Sequence, residues 1–296
     1  MNSIDIESKK FLGQPKNFVS IFNALLFDGK QVLMPEYLKD ENSELVMNVS
    51  SKHVDIIKRY EDGTYLDLFV IESQSYVDPS MVARVMEYES VARMRYIRQN
   101  FKKHVPMHTR LPMILTVVLY VGESKWNAAK RLSELEIIHP GFEDMFNEFK
   151  LNLIELNTNH KYNTGEKATQ DFFDLLRMIY RKQILKEDLD REFNRDALYF
   201  AYVVTKNKEL LNIYQKSEKG DVKVCRALDE MFEESTSKGI QMGIKQGIEQ
   251  GIERGVKNTQ IKIAIKMLVR NNQTLEEISE IVGLDLDALR ELKKNI

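Results

Sequence analysis

Cysteine is nearly absent from this sequence: its 296 residues contain one, Cys225. An internal disulfide framework and a cysteine-based zinc site are therefore excluded, and we expect a reducing, cytoplasmic setting. Long hydrophobic runs are missing too, because the apolar stretch near residues 113–121 falls far short of the about 20 residues that cross a membrane. The first residues, MNSIDIESKKF, are polar and acidic, so we expect neither a signal peptide nor a transit peptide.

A strong net charge is also missing. The 43 Lys and Arg residues nearly balance the 45 Asp and Glu residues, which gives a formal net charge of −2. Without an overall positive field the chain does not resemble a histone-like DNA binder. An enzyme that contacts DNA through a local basic surface is still allowed, since metal ions would offset an acidic site. The length and the hydrophobic content of 43% are typical of a globular protein with one or two domains.

The first half of the chain mixes strand-like and helix-like patterns. Apolar residues recur at helical spacing in FVSIFNALLF, residues 18–27. Two β-rich runs, VDIIKRY and YLDLFVIESQ, flank the turn signal Asp62-Gly63 and predict a hairpin. A helical pattern then runs from Pro79 to about Phe101, and MILTVVLYVG is typical of a strand buried on both faces. This order, followed by a short strand in NLIEL, predicts a parallel crossover in a mixed sheet.

The second half is helical from about residue 165 onward. Residues 239–255, GIQMGIKQGIEQGIERG, place five of the thirteen glycines at an interval of four and are termed the glycine ladder. A helix of this composition loses roughly 1 kcal/mol per glycine relative to alanine. Close packing of a second helix along the glycines would offset this loss and predicts a homo-oligomer, whereas a weakly helical linker is the alternative. We expect an α/β domain at 1–160, a helical region at 161–235, and the glycine ladder with a small helical module at 236–296.

The final residues predict short helices. Thr274 and Glu277 form a capping box, and Gly283 ends the helix that they begin. The last two helices look like a helix-turn-helix, but the second begins with acidic residues rather than with side chains that read bases. We therefore interpret them as a packing or oligomerisation module.

Polar side chains interrupt the apolar face of the predicted hairpin. Alternation along the second strand puts Leu68, Val70, Glu72 and Gln74 on one face. A two-residue turn pairs Glu61 with Thr64, Asp55 with Val70, and His53 with Glu72. Asp55 is then diagonal to Glu72, at a spacing of roughly 7 Å.

Two carboxylates that converge in this way suit a hard divalent cation such as Mg²⁺, which prefers oxygen ligands. The alternative is that Asp55, Glu72 and Gln74 are ordinary strand-end residues in water. The apolar residues that precede Glu72 favour the metal site, because a buried carboxylate needs a partner.

At these residues the chain resembles the PD-(D/E)xK nuclease superfamily, and more closely the Rpn-type family of recombination-promoting, transposase-like nucleases, which has E-x-Q in place of E-x-K. The matching segments are VDIIKRY, VIESQS, MVARVMEYESVARMRYI and LPMILTVVLYVGESKWNAA, followed by the glycine ladder and the C-terminal helices. The resemblance implies an α/β fold with a restriction-endonuclease-like core, in which helices flank a mixed sheet, and an all-α C-terminal region.

The resemblance also implies roles for individual residues. Asp55 and Glu72 would be the metal-binding carboxylates, the main-chain carbonyl of Ser73 a further ligand, and Gln74 would replace the superfamily lysine. FVSIFNALLF offers no acid for the ligand that the first helix often contributes.

Arg84 and Tyr88, one helical turn apart, match an Arg-xxx-Tyr pattern of the family and would contact substrate phosphate or brace the acids. Packing between helix and sheet is the alternative for this pair. Tyr120, Gly122 and Trp126 fit a family signature, which we interpret as fixing a strand end and its loop.

The function implied is hydrolysis of DNA phosphodiester bonds with Mg²⁺, or with another divalent cation such as Mn²⁺ or Ca²⁺. Such an endonuclease would promote recombination or act with a mobile element. The alternative is a non-catalytic interaction protein that keeps the nuclease fold and self-associates through its helical tail.

Overall fold

The structure is a computed structural model that describes residues 3–41, 56–63, 66–184, 188–217, 220–294 and 296. It divides into two compact units, Met1–Asp229 and Glu230–Ile296. The finer division into three parts at about residues 160 and 235 stays a prediction.

Helices and strands alternate in the first unit, and helices follow. The helices are α1 Ser3–Leu12, α2 Pro15–Phe27, α3 Met81–Asn100, α4 Lys167–Arg181, α5 Arg195–Thr205, α6 Lys208–Lys216, α7 Cys225–Arg270, α8 Leu275–Val282 and α9 Leu286–Lys294. The strands are β1 Leu38–Asp40, β2 Ile56–Glu61, β3 Leu66–Gln74, β4 Ile114–Tyr120, β5 Asn152–Glu155, β6 Glu192–Phe193 and β7 Val222–Lys223. Short 3₁₀ turns lie at Pro35–Tyr37, Leu132–Glu134 and Glu143–Met145.

A mixed five-stranded sheet forms the centre of the first unit, in the order β1-β2-β3-β4-β5. The pairs β1–β2 and β2–β3 are antiparallel, while β3–β4 and β4–β5 are parallel. The chain passes from β3 through α3 to β4, so the predicted strand–helix–strand crossover is confirmed. The predicted fold class, an α/β nuclease-like fold with a helical C-terminal region, is confirmed as well.

Helices cover both faces of β3. On one face Leu68 and Val70 pack with Tyr88 and Ala92 of α3. On the other face Phe69 contacts Phe22 of α2, with ring centroids 4.8 Å apart. Because side chains alternate along a strand, the even-numbered positions of β3 face α3, and its last two even positions are polar.

The register of the hairpin differs from the prediction by two residues. Glu61 pairs with Leu66, not with Thr64, and Val70 pairs with Ile57, not with Asp55. The connection is therefore four residues long rather than two. An even shift keeps every side chain on its face, so the apolar pattern fits both registers equally and only the length of the turn separates them.

The helices that follow the sheet, α4 and α5, contact the first two helices of the unit. Phe11 of α1 stacks on Phe200 of α5 at 5.0 Å and contacts Phe172 of α4 at 5.6 Å. The Ser20 hydroxyl of α2 donates to Thr169 Oγ1 of α4 at 2.8 Å. These contacts join elements that are far apart in the sequence.

The second unit has a small core of its own, in which Ala264 and Leu268 of α7 pack with Ile278, Val282 and Leu289. The predicted capping box is present: Thr274 Oγ1 accepts from the Glu277 amide, and Glu277 Oε2 accepts from the Thr274 amide. The predicted helix end is at Gly283, which has a φ of 72°.

The glycine ladder is helical and lies within α7. Among the described residues, a Cβ atom added at any of its five glycines would meet no atom within 4 Å beyond the adjacent residues and the nearby backbone of its own helix. The isoleucines that follow the first four of these glycines are more than half exposed. In the part of the chain that the structure describes, no helix is both long enough and apolar enough to cross a membrane.

Candidate functional site

Glu72 and Gln74 are buried at the carboxyl end of β3. Glu72 is 2% exposed and Gln74 is 6% exposed. Gln74 Nε2 donates to Glu72 Oε1 at 2.8 Å. In the parallel register Glu72 lies beside Val118, and Gln74 lies beside Tyr120. These two polar residues are therefore not strand-end residues in water, because the neighbouring strand and α3 cover them.

Arg84 connects this pair to a second carboxylate. From the first turn of α3 its Nη2 donates to Glu72 Oε1 at 2.9 Å, and its Nη1 donates to Asp78 Oδ2 at 2.6 Å. Nε and Nη2 also donate to the Tyr88 hydroxyl, at 3.0 and 2.8 Å. The Arg84 side chain is 13% exposed, so it does not extend into solvent as a snorkelling arginine would. The structure thus brings Glu72, Gln74, Arg84 and Tyr88 into one polar cluster.

Asp78 belongs to the same cluster, and sequence reasoning missed it. Its Oδ1 accepts from the Ser80 amide at 2.8 Å and from the Ser80 hydroxyl at 2.7 Å, which makes a turn before α3. The helix consequently begins at Met81 rather than at Pro79, where the sequence predicts its start. The Asp-Pro-Ser sequence is a turn signal that could have revealed this acid.

The charges of the cluster stabilise one another. Burial alone would lower the pKa of Arg84, but hydrogen bonds to Asp78 and Tyr88 and the charge of Glu72 raise it above its usual value. Burial works to raise the pKa of Asp78, yet hydrogen bonds from Ser80 and Arg84 outweigh it and lower the pKa below 3.8. Burial, and then the charge of Glu72, raise the pKa of Tyr88. At neutral pH the cluster therefore holds a guanidinium, the Asp78 carboxylate and a neutral phenol.

A second buried glutamate lies further along α3 and was also missed. Glu89 Oε1 accepts from the main-chain amide of Thr116 in β4 at 3.1 Å, and Glu89 Oε2 accepts from Arg93 Nη2 at 2.8 Å. In the sequence, Glu89 and Arg93 look like an ordinary pair on the exposed face of a helix. The structure shows that the carboxylate instead attaches α3 to the sheet.

Asp55 and His53, which the predicted register pairs with Val70 and Glu72, lie outside the described residues. The next residue, Ile56, is described and pairs with Ile71, the neighbour of Glu72. Ser73 lies between Glu72 and Gln74, in register with Leu119. The metal-binding roles of Asp55, Glu72 and Ser73 stay predictions.

The oxygen donors at this site agree in kind with a divalent cation. The Glu72 carboxylate and the Ser73 carbonyl are oxygen ligands of the type that Mg²⁺, Mn²⁺ and Ca²⁺ bind. Within the described ranges no group of three or more His, Cys, Asp or Glu side chains is placed to hold a metal ion. A second carboxylate, for which the sequence predicts Asp55, would have to complete such a site, and this ligand set stays a prediction.

The family signature beyond β4 fixes a strand end. Tyr120 and Trp126 make an edge-to-face contact at 5.1 Å, and the Tyr120 hydroxyl donates to the Ser124 carbonyl. A Cβ atom at Gly122 would lie 2.5 Å from the Tyr120 hydroxyl and 2.6 Å from the Ser75 carbonyl oxygen. Only glycine fits this close approach. The interpretation of this signature as structural is thus supported.

One comparison with known proteins finds a match: the family model described as "Putative transposase, YhgA-like" matches residues 9–210. No curated protein and no solved structure matches the chain significantly. The matched range begins within α1, ends within α6 and contains the five-stranded sheet and the polar cluster. Since this match covers more than half of the 296 residues, the chain belongs to the YhgA-like family of putative transposases, which is the Rpn-type family that the sequence predicts.

Proposed function

We propose that this chain is a divalent-metal-dependent endonuclease that hydrolyses phosphodiester bonds of DNA. Family membership indicates a transposase-like or nuclease-like role. The observation that carries the finer proposal is the buried Glu72 carboxylate, held at the end of β3 by Gln74 and Arg84. Burying a carboxylate in an apolar interface is costly, and a protein keeps one in a defined orientation where that charge has a use.

The proposed metal ligands are the carboxylates of Asp55 and Glu72 and the main-chain carbonyl of Ser73. A divalent cation such as Mg²⁺ or Mn²⁺ bound there would activate the attacking water and stabilise charge on the scissile phosphate. Glu72 supplies a negative charge, and its hydrogen bonds with Gln74 and Arg84 fix the orientation of the carboxylate. Asp55 immediately precedes Ile56, whose partner Ile71 is adjacent to Glu72, and this supports a second carboxylate at the site.

By resemblance, Gln74 stands where the superfamily has a lysine. We assign the hydrogen bonding of that lysine to Gln74 and its positive charge to Arg84. The Gln74 carboxamide donates to Glu72 and can orient the carboxylate or a water molecule, but it carries no charge and is no base at neutral pH. Arg84 supplies the positive charge. Its planar guanidinium suits a phosphate group, and the Tyr88 hydroxyl lies beside the guanidinium and accepts a hydrogen bond from it. We therefore propose Arg84 and Tyr88 as substrate-binding residues.

Nicking of supercoiled plasmid tests this proposal. Purified wild type with Mg²⁺ should convert the plasmid to open circles, and EDTA should stop the reaction. Asp55→Ala, Glu72→Ala and Gln74→Ala should each reduce nicking, whereas Glu87→Ala, an exposed glutamate on α3, should not. Equal nicking by wild type and the Asp55 and Glu72 variants, or no nicking at all, would show that the proposed site is wrong.

The exposed surface of the glycine ladder favours a second function, which is self-association of the chain. Its glycines leave open space beside exposed isoleucines, which is the surface that a second helix requires for close approach. A homo-oligomer formed there would serve an endonuclease that cuts two strands. It would equally serve a non-catalytic interaction protein that retains the fold.

Sedimentation of the full chain tests self-association. Ile244→Glu combined with Ile248→Glu should convert an oligomer into a monomer. The matched control carries the same two charges beside the stripe, as Gln246→Glu with Gln250→Glu, and should leave the oligomer intact. A wild type that sediments as a monomer at micromolar concentration would contradict this second proposal.

A further inference from the structure

Arg84 shares one guanidinium between two carboxylates. Its bond to Asp78 Oδ2 is 2.6 Å long, and its bond to Glu72 Oε1 is 2.9 Å long. Exposure of the three side chains is 13% for Arg84, 3% for Glu72 and 15% for Asp78. A cation at Glu72 and the Arg84 guanidinium would therefore face each other in a poorly solvated place, where like charges repel strongly.

The Asp78 carboxylate has no counterpart in the motif that suggested the site. It lies outside the sheet, in the turn before α3, and two hydrogen bonds from Ser80 fix its position. Those bonds and Arg84 lower its pKa, so that it stays an anion at neutral pH. It can therefore hold Arg84 even when Glu72 is engaged by another cation.

We propose that Arg84 competes with the divalent cation for Glu72, and that Asp78 is a positioning residue that limits this competition by holding Arg84 back. The inference rests on the proposed function. In the absence of a cation Arg84 neutralises Glu72. When a cation binds, the bond between Arg84 and Asp78 keeps the guanidinium at the site, where its remaining N–H groups can contact a substrate phosphate.

This arrangement predicts opposite effects on metal binding and on cleavage. Arg84→Gln removes a competing positive charge, so Mn²⁺ should bind to the full chain about tenfold more tightly in calorimetry without DNA. The same change should reduce plasmid cleavage at saturating Mn²⁺ by about a hundredfold, because the phosphate loses its contact. An arginine with a merely structural role would weaken both when replaced.

Asp78→Asn should have the reverse effect on the metal. Without its counter-charge Arg84 pairs more closely with Glu72, and Mn²⁺ should bind about threefold to tenfold more weakly. In the double variant, Arg84→Gln with Asp78→Asn, Mn²⁺ affinity should equal that of Arg84→Gln alone. If Asp78 attracted the metal directly, its loss would weaken binding in the double variant too, and the positioning role would be wrong.

Arg93→Gln is the matched control, because Arg93 also lies on α3 and also binds a buried glutamate, Glu89. It should leave Mn²⁺ affinity unchanged. Unchanged or weaker Mn²⁺ binding by Arg84→Gln, in a wild type that binds Mn²⁺ and cuts DNA, overturns the competition and leaves the proposed function standing. A wild type that neither binds Mn²⁺ nor cuts overturns both. If Arg84→Gln does not fold, the Asp78→Asn variant tests the competition instead. The weaker Mn²⁺ binding expected of that variant requires an intact Arg84, so unchanged binding would overturn the competition.

Discussion

Glu72 and Glu89 are both buried between the sheet and α3, and each binds an arginine of that helix. Their other hydrogen-bond donors differ. Glu89 accepts from the main-chain amide of Thr116, which belongs to a strand and cannot turn away. Glu72 accepts from side chains, Gln74 and Arg84, which can rotate.

This difference agrees with a structural role for Glu89 and with the proposed metal-binding role for Glu72. A main-chain donor fixes an acceptor for as long as the fold persists, and losing the acceptor leaves a buried N–H without a partner. Side-chain donors can release an acceptor to a ligand at little cost to the backbone. Glu72 and Glu89 are nearly equally buried, so the proposed difference between their roles depends on the kind of donor among the described residues and not on burial.

The largest expected effect is the loss of DNA cleavage in the variant Glu72→Gln. This change keeps the size of the side chain and removes its charge. Plasmid nicking with Mg²⁺ should fall by about a hundredfold or more, because the variant lacks a proposed ligand of the metal. Glu89→Gln should leave the rate per folded molecule within about threefold of wild type. A similar loss of nicking in both variants would break the distinction between the two glutamates.

The second-largest expected effect is a loss of stability when Glu89 is replaced. Glu89→Met keeps the volume but leaves the Thr116 amide without its acceptor and Arg93 without its carboxylate partner, so the free energy of unfolding should fall by about 2–3 kcal/mol. Urea denaturation of the full chain measures this change. The control is Glu87→Met, at an exposed position on the same helix, which should stay within about 0.5 kcal/mol of wild type.

A smaller effect distinguishes the two arginines. Arg84→Lys cannot reach Glu72, Asp78 and Tyr88 together, since an ammonium group has no planar fork, and cleavage should fall by about tenfold. Arg93 is 39% exposed and has one carboxylate partner, so Arg93→Lys should change cleavage by less than about twofold. Initial nicking rates at saturating Mg²⁺ provide the measurement, and equal effects of the two changes would contradict this expectation.

The smallest effect is on acid stability. The pKa of Asp78 is lower in the folded chain than its ordinary value of 3.8. Its ionised form therefore stabilises the fold above pH 3.8, and this contribution is lost as the pH falls through the lower, folded value. Asp78→Asn lacks the contribution at every pH. The gap in Tm between wild type and this variant should accordingly be constant from about pH 7 to pH 5 and should narrow below 3.8; a constant gap at all pH values would count against the shift.

The fold could be predicted because strong local patterns agree with it. The buried run in β4, the helical spacing in α2 and the capping box at Thr274 each specify one element, and all three are present. The hairpin register could not be predicted, since a shift of two residues preserves every face. The glycine ladder predicts a helix correctly, but its partner is not encoded in the pattern.

The candidate site was predicted in part, for a similar reason. Glu72 and Gln74 are visible because they interrupt an apolar face, and the structure places Arg84 and Tyr88 beside them. The turn signal at Asp78 marks a turn but not a partner for Arg84, and Glu89 looks like an ordinary surface acid four residues before an arginine. Only the packing of α3 on the sheet buries Glu89 and brings Arg84 to both Asp78 and Glu72, and that packing depends on residues distant in the sequence.

The contact between Phe11 and Phe200 has a consequence for the order of folding. The aromatic ring of the first helix contacts rings of α4 and α5, and most of the unit is synthesised before these two helices. Contacts between such distant residues form slowly, because the intervening chain must be ordered first. On the ribosome α1 is therefore made first and its aromatic ring is covered late, after α2 and the strands and helix that surround Glu72 have already been synthesised.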